Sequence, residues 1–83
     1  MDYAIYKTID GEYAHIVHRF FQDTCNHRAK RTAQAKLNEM WLHLMQRSSL
    51  AKNATGSKDE FSYDYMPAAD FHQRIRFYIA PIK

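Results

Sequence analysis

Histidine and cysteine are the residues that first suggest chemistry in this 83-residue chain, which has five histidines and one cysteine. Four of them follow a spacing of H-x2-H-x6-C-x-H: His15, His18, Cys25 and His27. Imidazole and thiolate are ligands of zinc, but zinc-finger sites use other spacings. If residues 12–21 form a strand, His15 and His18 point to opposite faces and cannot share an ion; a helix would place them on one face. We therefore expect no metal ion and no other cofactor.

Catalytic nucleophiles are poorly supported by the sequence. A helix N-terminus and neighbouring cations would favour the thiolate of Cys25, but His27 is only two residues away and is not aligned with it on a helix face. Gly11 and Gly56 are the only glycines, and neither lies in a Gly-rich phosphate-binding loop. The serines lack the context of a nucleophile elbow. We expect a protein that is not an enzyme.

One enzymatic alternative remains, a small toxin-like ribonuclease. Such enzymes are small and basic, and they use Arg, His and Tyr side chains near strand ends. In this chain His72, Arg74, Arg76 and Tyr78 could take those roles. The carboxylates nearby, from Asp59 to Asp70, show no spacing typical of an acid/base pair.

The distribution of charge is more informative than the net charge of +3. Residues 24–58 hold seven Lys or Arg residues and one acid, Glu39, whereas the segments on either side are mildly acidic. Within this stretch, His27, Arg28, Lys30, Arg31 and Lys36 have no acidic residue among them. Cations at the start of a helix oppose its dipole, at a cost of a few tenths of a kcal/mol each. Such local disagreement is expected at functional positions, and we interpret it as attraction for a nucleic acid or an acidic protein surface.

The basic residues lie in the clearest secondary-structure element, a helix predicted over about residues 24–48. Its apolar residues recur at spacings of three and four, as in one helical face: Ala29, Ala33, Leu37, Met40, Trp41, Leu44 and Met45. Asp23, Thr24 or Asn26 can cap its first turn.

Strands are predicted on both sides of this helix. Residues 51–60 have almost no bulky apolar side chain and predict an exposed loop. Apolar and polar residues then alternate over 61–66 and over 74–79, each run ending at a proline, Pro67 and Pro81. We expect these two strands to pair antiparallel, joined by a connection at 68–73.

The N-terminal quarter allows two interpretations. Residues 3–9 are rich in β-branched and aromatic side chains and predict a strand. The dipeptide Asp10-Gly11 is typical of a type I′ hairpin, with residues 12–21 as the returning strand. The apolar residues of 12–24 also fit a helical stripe. The predicted fold is therefore α+β, a small antiparallel sheet packed on one main helix, in the order ββαββ, or βααββ if residues 12–24 are helical.

Aromatic residues exceed what one helix can cover. The chain has six tyrosines and five phenylalanines, so we expect some tyrosines on the outer face or the edge of the sheet. Tyrosine and arginine are frequent in interface hot spots. Tyrosine also stacks single-stranded bases, but no RNP-type signature is present.

Composition bounds the remaining possibilities. One cysteine permits no internal disulfide, and the sequence has no signal-peptide pattern and no apolar run that could span a membrane. We expect a single α+β domain over residues 1–83, located in the cytoplasm, with no membrane partner.

Taken together, these patterns favour a small non-enzymatic protein-binding modulator or inhibitor. It would occupy the surface of a larger protein, or of a protein–nucleic-acid complex, through the basic helix and an aromatic sheet face. In size and composition the chain resembles the short accessory proteins of phages and mobile elements. The alternative is a small protein that binds DNA or RNA phosphates through the basic helix. The predicted partner-binding residues are His27, Arg28, Lys30, Arg31, Lys36, Arg74, Arg76 and Tyr78.

Overall fold

The computed structural model describes residues 2–21, 28–47 and 51–82, and at Arg28 the backbone only. The elements in chain order are β1 (Tyr3–Ile9), β2 (His15–Phe20), α1 (Arg28–Arg47), β3 (Ala51–Gly56), β4 (Glu60–Ala68) and β5 (Phe71–Pro81). The fold is α+β, as predicted, but its order is ββαβββ.

The strands form one five-stranded sheet in the order β2-β1-β5-β4-β3. All four neighbouring pairs are antiparallel. The last strand, β5, is central: it pairs with β1 from Tyr3↔Pro81 to Ile9↔Ile75, and with β4 from Glu60↔Tyr78 to Ala68↔Phe71. The predicted pairing of the two C-terminal strands is confirmed, and β5 joins them to the N-terminal hairpin.

The N-terminal hairpin is confirmed, with a returning strand of His15–Phe20 in place of the predicted residues 12–21. The helical alternative for residues 12–24 is wrong over the described part of that segment. Asp10 and Gly11 both have positive φ, 54° and 74°, as a type I′ turn requires. The Glu12 amide donates to the Ile9 carbonyl across this turn, at 3.0 Å. Asp10 also exchanges two hydrogen bonds with the Arg74 backbone, of 2.8 Å and 2.7 Å. The turn is thereby fixed to the central strand.

Helix α1 packs on one face of the sheet and forms the core there. Ala29 and Ala33 are buried, and their small side chains let the helix approach the strands closely. Leu37 is 2% exposed and shares the core cluster with Ile5, Phe61, Tyr63 and Ile75. Further along the helix, the Trp41 ring meets the Phe61 ring edge-on at 5.4 Å. The predicted helical face is the face that packs on the sheet, except for Met45, which is 53% exposed. Residues 24–27 and 48 lie outside the described residues.

The prediction of a loop over 51–60 is wrong for its first six residues, which form the edge strand β3. This strand has little apolar surface, because only Ala51 and Ala54 are half-buried. Its ladder to β4 is irregular between Lys52 and Thr55, where Asn53 has a φ of 52°. The residues of β3 have low strand propensity. Their pairing with β4 keeps them in an extended conformation.

The proline at position 67 does not end its strand. β4 continues through Pro67 to Ala68, and the pairing with β5 is irregular between Tyr65 and Ala68. Proline has no amide to donate and is accepted at such an irregularity. The predicted connection at 68–73 is therefore shorter, because β5 already begins at Phe71. Pro81 is the last residue of β5, where the sequence predicts that strand to end.

Candidate functional site: the open face of the sheet

The face of the sheet opposite α1 carries most of the polar side chains of β4 and β5, together with Tyr78. Because Ile75 is buried in the core, its neighbours on β5 project to the other side of the sheet. We call this side the open face, and its residues are Tyr6, Thr8, Glu60, Ser62, Asp64, His72, Arg74, Arg76 and Tyr78. Alternation along β5 and the register of β5 with β4 and β1 place all of them there.

Aromatic and charged groups are stacked at one end of the open face. The rings of Tyr6 and Tyr78 are stacked, with centroids 5.3 Å apart and planes 16° apart. The Arg76 guanidinium lies 4.5 Å from the centroid of the Tyr78 ring. It also donates to the Glu60 carboxylate, from Nε at 2.9 Å and from Nη2. These four side chains from three strands therefore hold one another in place.

The other end of the open face is a hydrogen-bond network around Asp64. Its carboxylate accepts from Asn53 Nδ2 at 2.7 Å and from Arg74 Nη1 at 3.0 Å, and His72 Nε2 lies 3.2 Å away. Arg74 also donates to the hydroxyl of Ser62 at 2.8 Å. The hydrogen bonds from Asn53 and Arg74, with a smaller contribution from His72, lower the pKa of Asp64 to about 2. The carboxylate is ionised at neutral pH and is a weak base.

The charged groups of the open face are paired across β4 and β5 and are spread along both strands. Each of its two arginines contacts a carboxylate of the same face, Arg76 with Glu60 and Arg74 with Asp64. Glu60 and Asp64 are four residues apart on β4, about 13 Å along the strand. His72 lies beside Asp64, so Glu60 and His72 are too far apart to serve one reacting group as base and acid.

A basic cleft lies on the helix side of the molecule, away from the open face. It is lined by Lys30, Arg31 and Gln34 of α1 and by Lys58 of the turn between β3 and β4. Gln34 Nε2 donates to Asp59 Oδ1 at 2.8 Å and ties that turn to the helix. Lys36 follows Arg31 by five residues, about 140° around the helix axis, and it lines a different groove.

The predicted partner-binding residues therefore do not form one surface. Lys30 and Arg31 lie in the basic cleft, Lys36 lies on the other flank of α1, and Arg74, Arg76 and Tyr78 lie on the open face. The sheet separates the last three from the helix. Arg28 begins α1, and its side chain lies outside the described residues, as does His27.

Several residues of both surfaces were missed by sequence reasoning. Lys58 lies in a segment predicted as loop, and only the fold places it beside Lys30. Tyr6, Glu60 and Asp64 join the open face through cross-strand register. The alternation of 60, 62 and 64 with buried Phe61 and Tyr63 was the one available signal that these side chains share a face.

His15 and His18 lie on a strand, but their side chains do not point to opposite faces as a regular strand predicts. Val17 is an extra residue in β2, so that His15 lies opposite Lys7 and His18 lies opposite Ile5. Since Lys7 and Ile5 project to the same face of β1, the bulge brings both histidines to one face. Within residues 2–21, 28–47 and 51–82, no group of three metal-ligating side chains is found. Cys25, the third ligand of the pattern, lies outside the described residues.

Comparison of the chain with protein-family models, curated proteins and solved structures gave no match. Among the residues that the structure describes, no helix is both long and apolar enough to cross a membrane.

Proposed function

We propose that this chain is a non-enzymatic binding protein that modulates a larger protein by occupying part of its surface with the open face. The observation that carries the proposal is the one-sided packing of α1. It leaves the opposite face of the sheet uncovered by the helix, and that face carries an ordered set of tyrosine and arginine side chains with paired charges.

Two physical properties of the open face support protein recognition. Tyrosine and arginine are enriched at the centres of protein interfaces, and side chains that are already fixed lose less conformational entropy on binding. Arg74 and Arg76 are already paired with carboxylates, so their positive charges are less available to bind the phosphates of a nucleic acid. Glu60 is too far from His72 to act with it, and Asp64, which lies beside His72, is a weak base because its pKa is lowered to about 2. For these reasons we propose binding and not ribonuclease catalysis.

Site-specific photo-crosslinking tests this proposal. A photoreactive amino acid at Thr8, which lies opposite Arg76 on the open face, should cross-link a protein in a lysate of the native host after nuclease treatment. The control is the same amino acid at Leu42, which is 49% exposed on α1. A protein adduct from Thr8 and none from Leu42 is expected. Adducts from Leu42 alone, or adducts that nuclease removes, would overturn the proposal.

Nucleic-acid binding is the second candidate, and the basic cleft is the observation that favours it. Three cations from two elements, Lys30, Arg31 and Lys58, line one depression, as expected of a site for consecutive phosphates. If the basic cleft binds nucleic acid, we expect mixed-sequence DNA or RNA to bind there with an affinity that falls steeply as the salt concentration rises.

The contribution of Lys58 makes this alternative testable. Lys58→Ala should weaken binding to every sequence about equally and lower the slope of log K against log salt by about 1. Lys36→Ala, on the other flank of the helix, is the matched control and should leave the slope unchanged. Absence of binding to duplex and single-stranded DNA and RNA at about 100 mM salt would exclude this function.

A further inference from the structure

A groove with an apolar floor opens between α1 and the sheet, on the flank of the helix opposite the basic cleft. Its volume is about 430 Å³, and its floor is formed by Met40, Leu44, Phe61, Tyr63 and Phe77. The groove follows from the dimensions of the fold. Five strands are about 24 Å wide, whereas one helix is only about 10 Å in diameter. The helix therefore leaves part of the apolar sheet face uncovered.

The rim of the groove holds more lysine and arginine side chains than acidic ones. Lys36, Glu39 and His43 lie on its helix side, and Arg47 follows at a spacing that puts it on the same flank as Lys36. On the sheet side, Lys7 Nζ is 5.7 Å from the centroid of the Phe77 ring. Among the described residues that line the groove, Glu39 is the acid; it is 3.7 Å from Lys36 and is 72% exposed, so this ion pair is weak.

We infer that this groove binds an acidic segment of a partner protein, which inserts one aliphatic or aromatic side chain between α1 and the sheet. The apolar floor selects the inserted side chain, because burying it there removes apolar area from water on both partners. The cationic rim selects the flanking residues, since acidic side chains there meet Lys7, Lys36 and Arg47.

The inference goes beyond the function proposed above. The groove and the open face lie on opposite sides of the sheet, so that one molecule can engage two surfaces at once. A protein built in this way can connect two partners, or hold two parts of one partner.

Peptide selection tests the inference without knowledge of the partner. A displayed library of random dodecapeptides is selected on the full chain, and the enriched peptides are synthesised and their affinities measured. We expect Asp or Glu on both sides of a Leu, Phe or Trp. Peptides without acidic enrichment, or no selection above background, would overturn the inference.

Charge reversal on the two flanks of α1 supplies the matched control. Lys36→Glu should weaken binding of the selected peptides about tenfold, and Arg47→Glu, at an exposed position of the same flank, should act in the same direction. Arg31→Glu changes the net charge equally but lies in the basic cleft, and it should change affinity by no more than about twofold. Equal losses of peptide affinity from Lys36→Glu and Arg31→Glu would show that net charge alone attracts the peptides. That result would refute the inference that they bind in the groove.

The position of the bound peptide is read from amide chemical shifts. Perturbations should centre on Met40, His43, Leu44 and Phe77, whereas a centre at Tyr6 and Tyr78 would place the peptide on the open face and refute the groove. The inference about the groove and the proposed function can fail independently. The adduct from Thr8 reports binding at the opposite side of the sheet and does not depend on the groove. Circular dichroism of each variant verifies that it is folded.

Discussion

Asp64 accepts hydrogen bonds from Asn53 and Arg74, and its pKa is lowered to about 2 from the usual value of 3.8. A group whose pKa is depressed by folding stabilises the native state above its unfolded pKa, and this contribution is lost as the pH falls towards the folded value. We therefore expect the free energy of unfolding to decline between about pH 4 and pH 2. Urea denaturation across this range measures the decline.

Asp64→Asn should be less stable than the wild type at neutral pH and should show a shallower decline between those pH values, because the titrating group is gone. Glu12→Gln, an exposed carboxyl-to-amide change in the β1–β2 connection, should follow the wild-type profile. A steep decline that persists in Asp64→Asn would show that other carboxylates control the acid response.

At the residue scale, the sequence identified part of the open face. Arg74, Arg76 and Tyr78 were predicted because their types and alternation are visible in the chain. Asp64 and Glu60 have no spacing that indicates a site, and they contact the arginines only because β4 and β5 pair in one particular register. Register depends on the whole sheet, so these partners could not be derived from local patterns.

At the scale of elements, Leu37 is the largest fully buried side chain of the described part of α1. It is 2% exposed and belongs to the core cluster. Leu37→Ala should cost about 2–5 kcal/mol of unfolding free energy, since it removes buried methyl groups and leaves a cavity. Leu42→Ala is the matched control on the same helix, where the side chain is 49% exposed.

The control should change the free energy of unfolding by less than about 0.5 kcal/mol. Thermal or denaturant unfolding followed by the fluorescence of the single tryptophan, Trp41, reports both variants. Equal effects of the two substitutions would contradict the packing of α1 on this face.

Elements with strong periodicity were predictable, and the edge strand was not. Helix α1, strands β1 and β5 and the Asp10-Gly11 turn all follow from local patterns. Strand β3 has two half-buried alanines and no other apolar side chain, and its conformation is imposed by the ladder to β4. A strand that depends on its neighbour leaves no periodic signal in its own residues.

At the scale of the whole molecule, β5 joins the two halves of the sheet. Of the described strands, β5 pairs with both β1 and β4, so that within this part of the chain the N-terminal hairpin and the β3–β4 pair share no direct ladder. A chain that ends at Asp70 should therefore lack cooperative unfolding and near-ultraviolet circular dichroism. Removal of Lys83 alone, beyond β5, should leave both unchanged. A cooperative transition in the chain of residues 1–70 would contradict the central role of β5.

The position of β5 at the end of the described chain also determines when the sheet can be completed during synthesis. A ribosome makes four strands and the helix before it makes the strand that unites them, and β1 has to wait for a partner about seventy residues away. Until residues 71–81 have left the ribosome, the apolar side chains of Ile5, Phe61 and Tyr63 have no complete core to enter. In that interval the nascent chain exposes apolar side chains and unpaired strand edges, which favour aggregation.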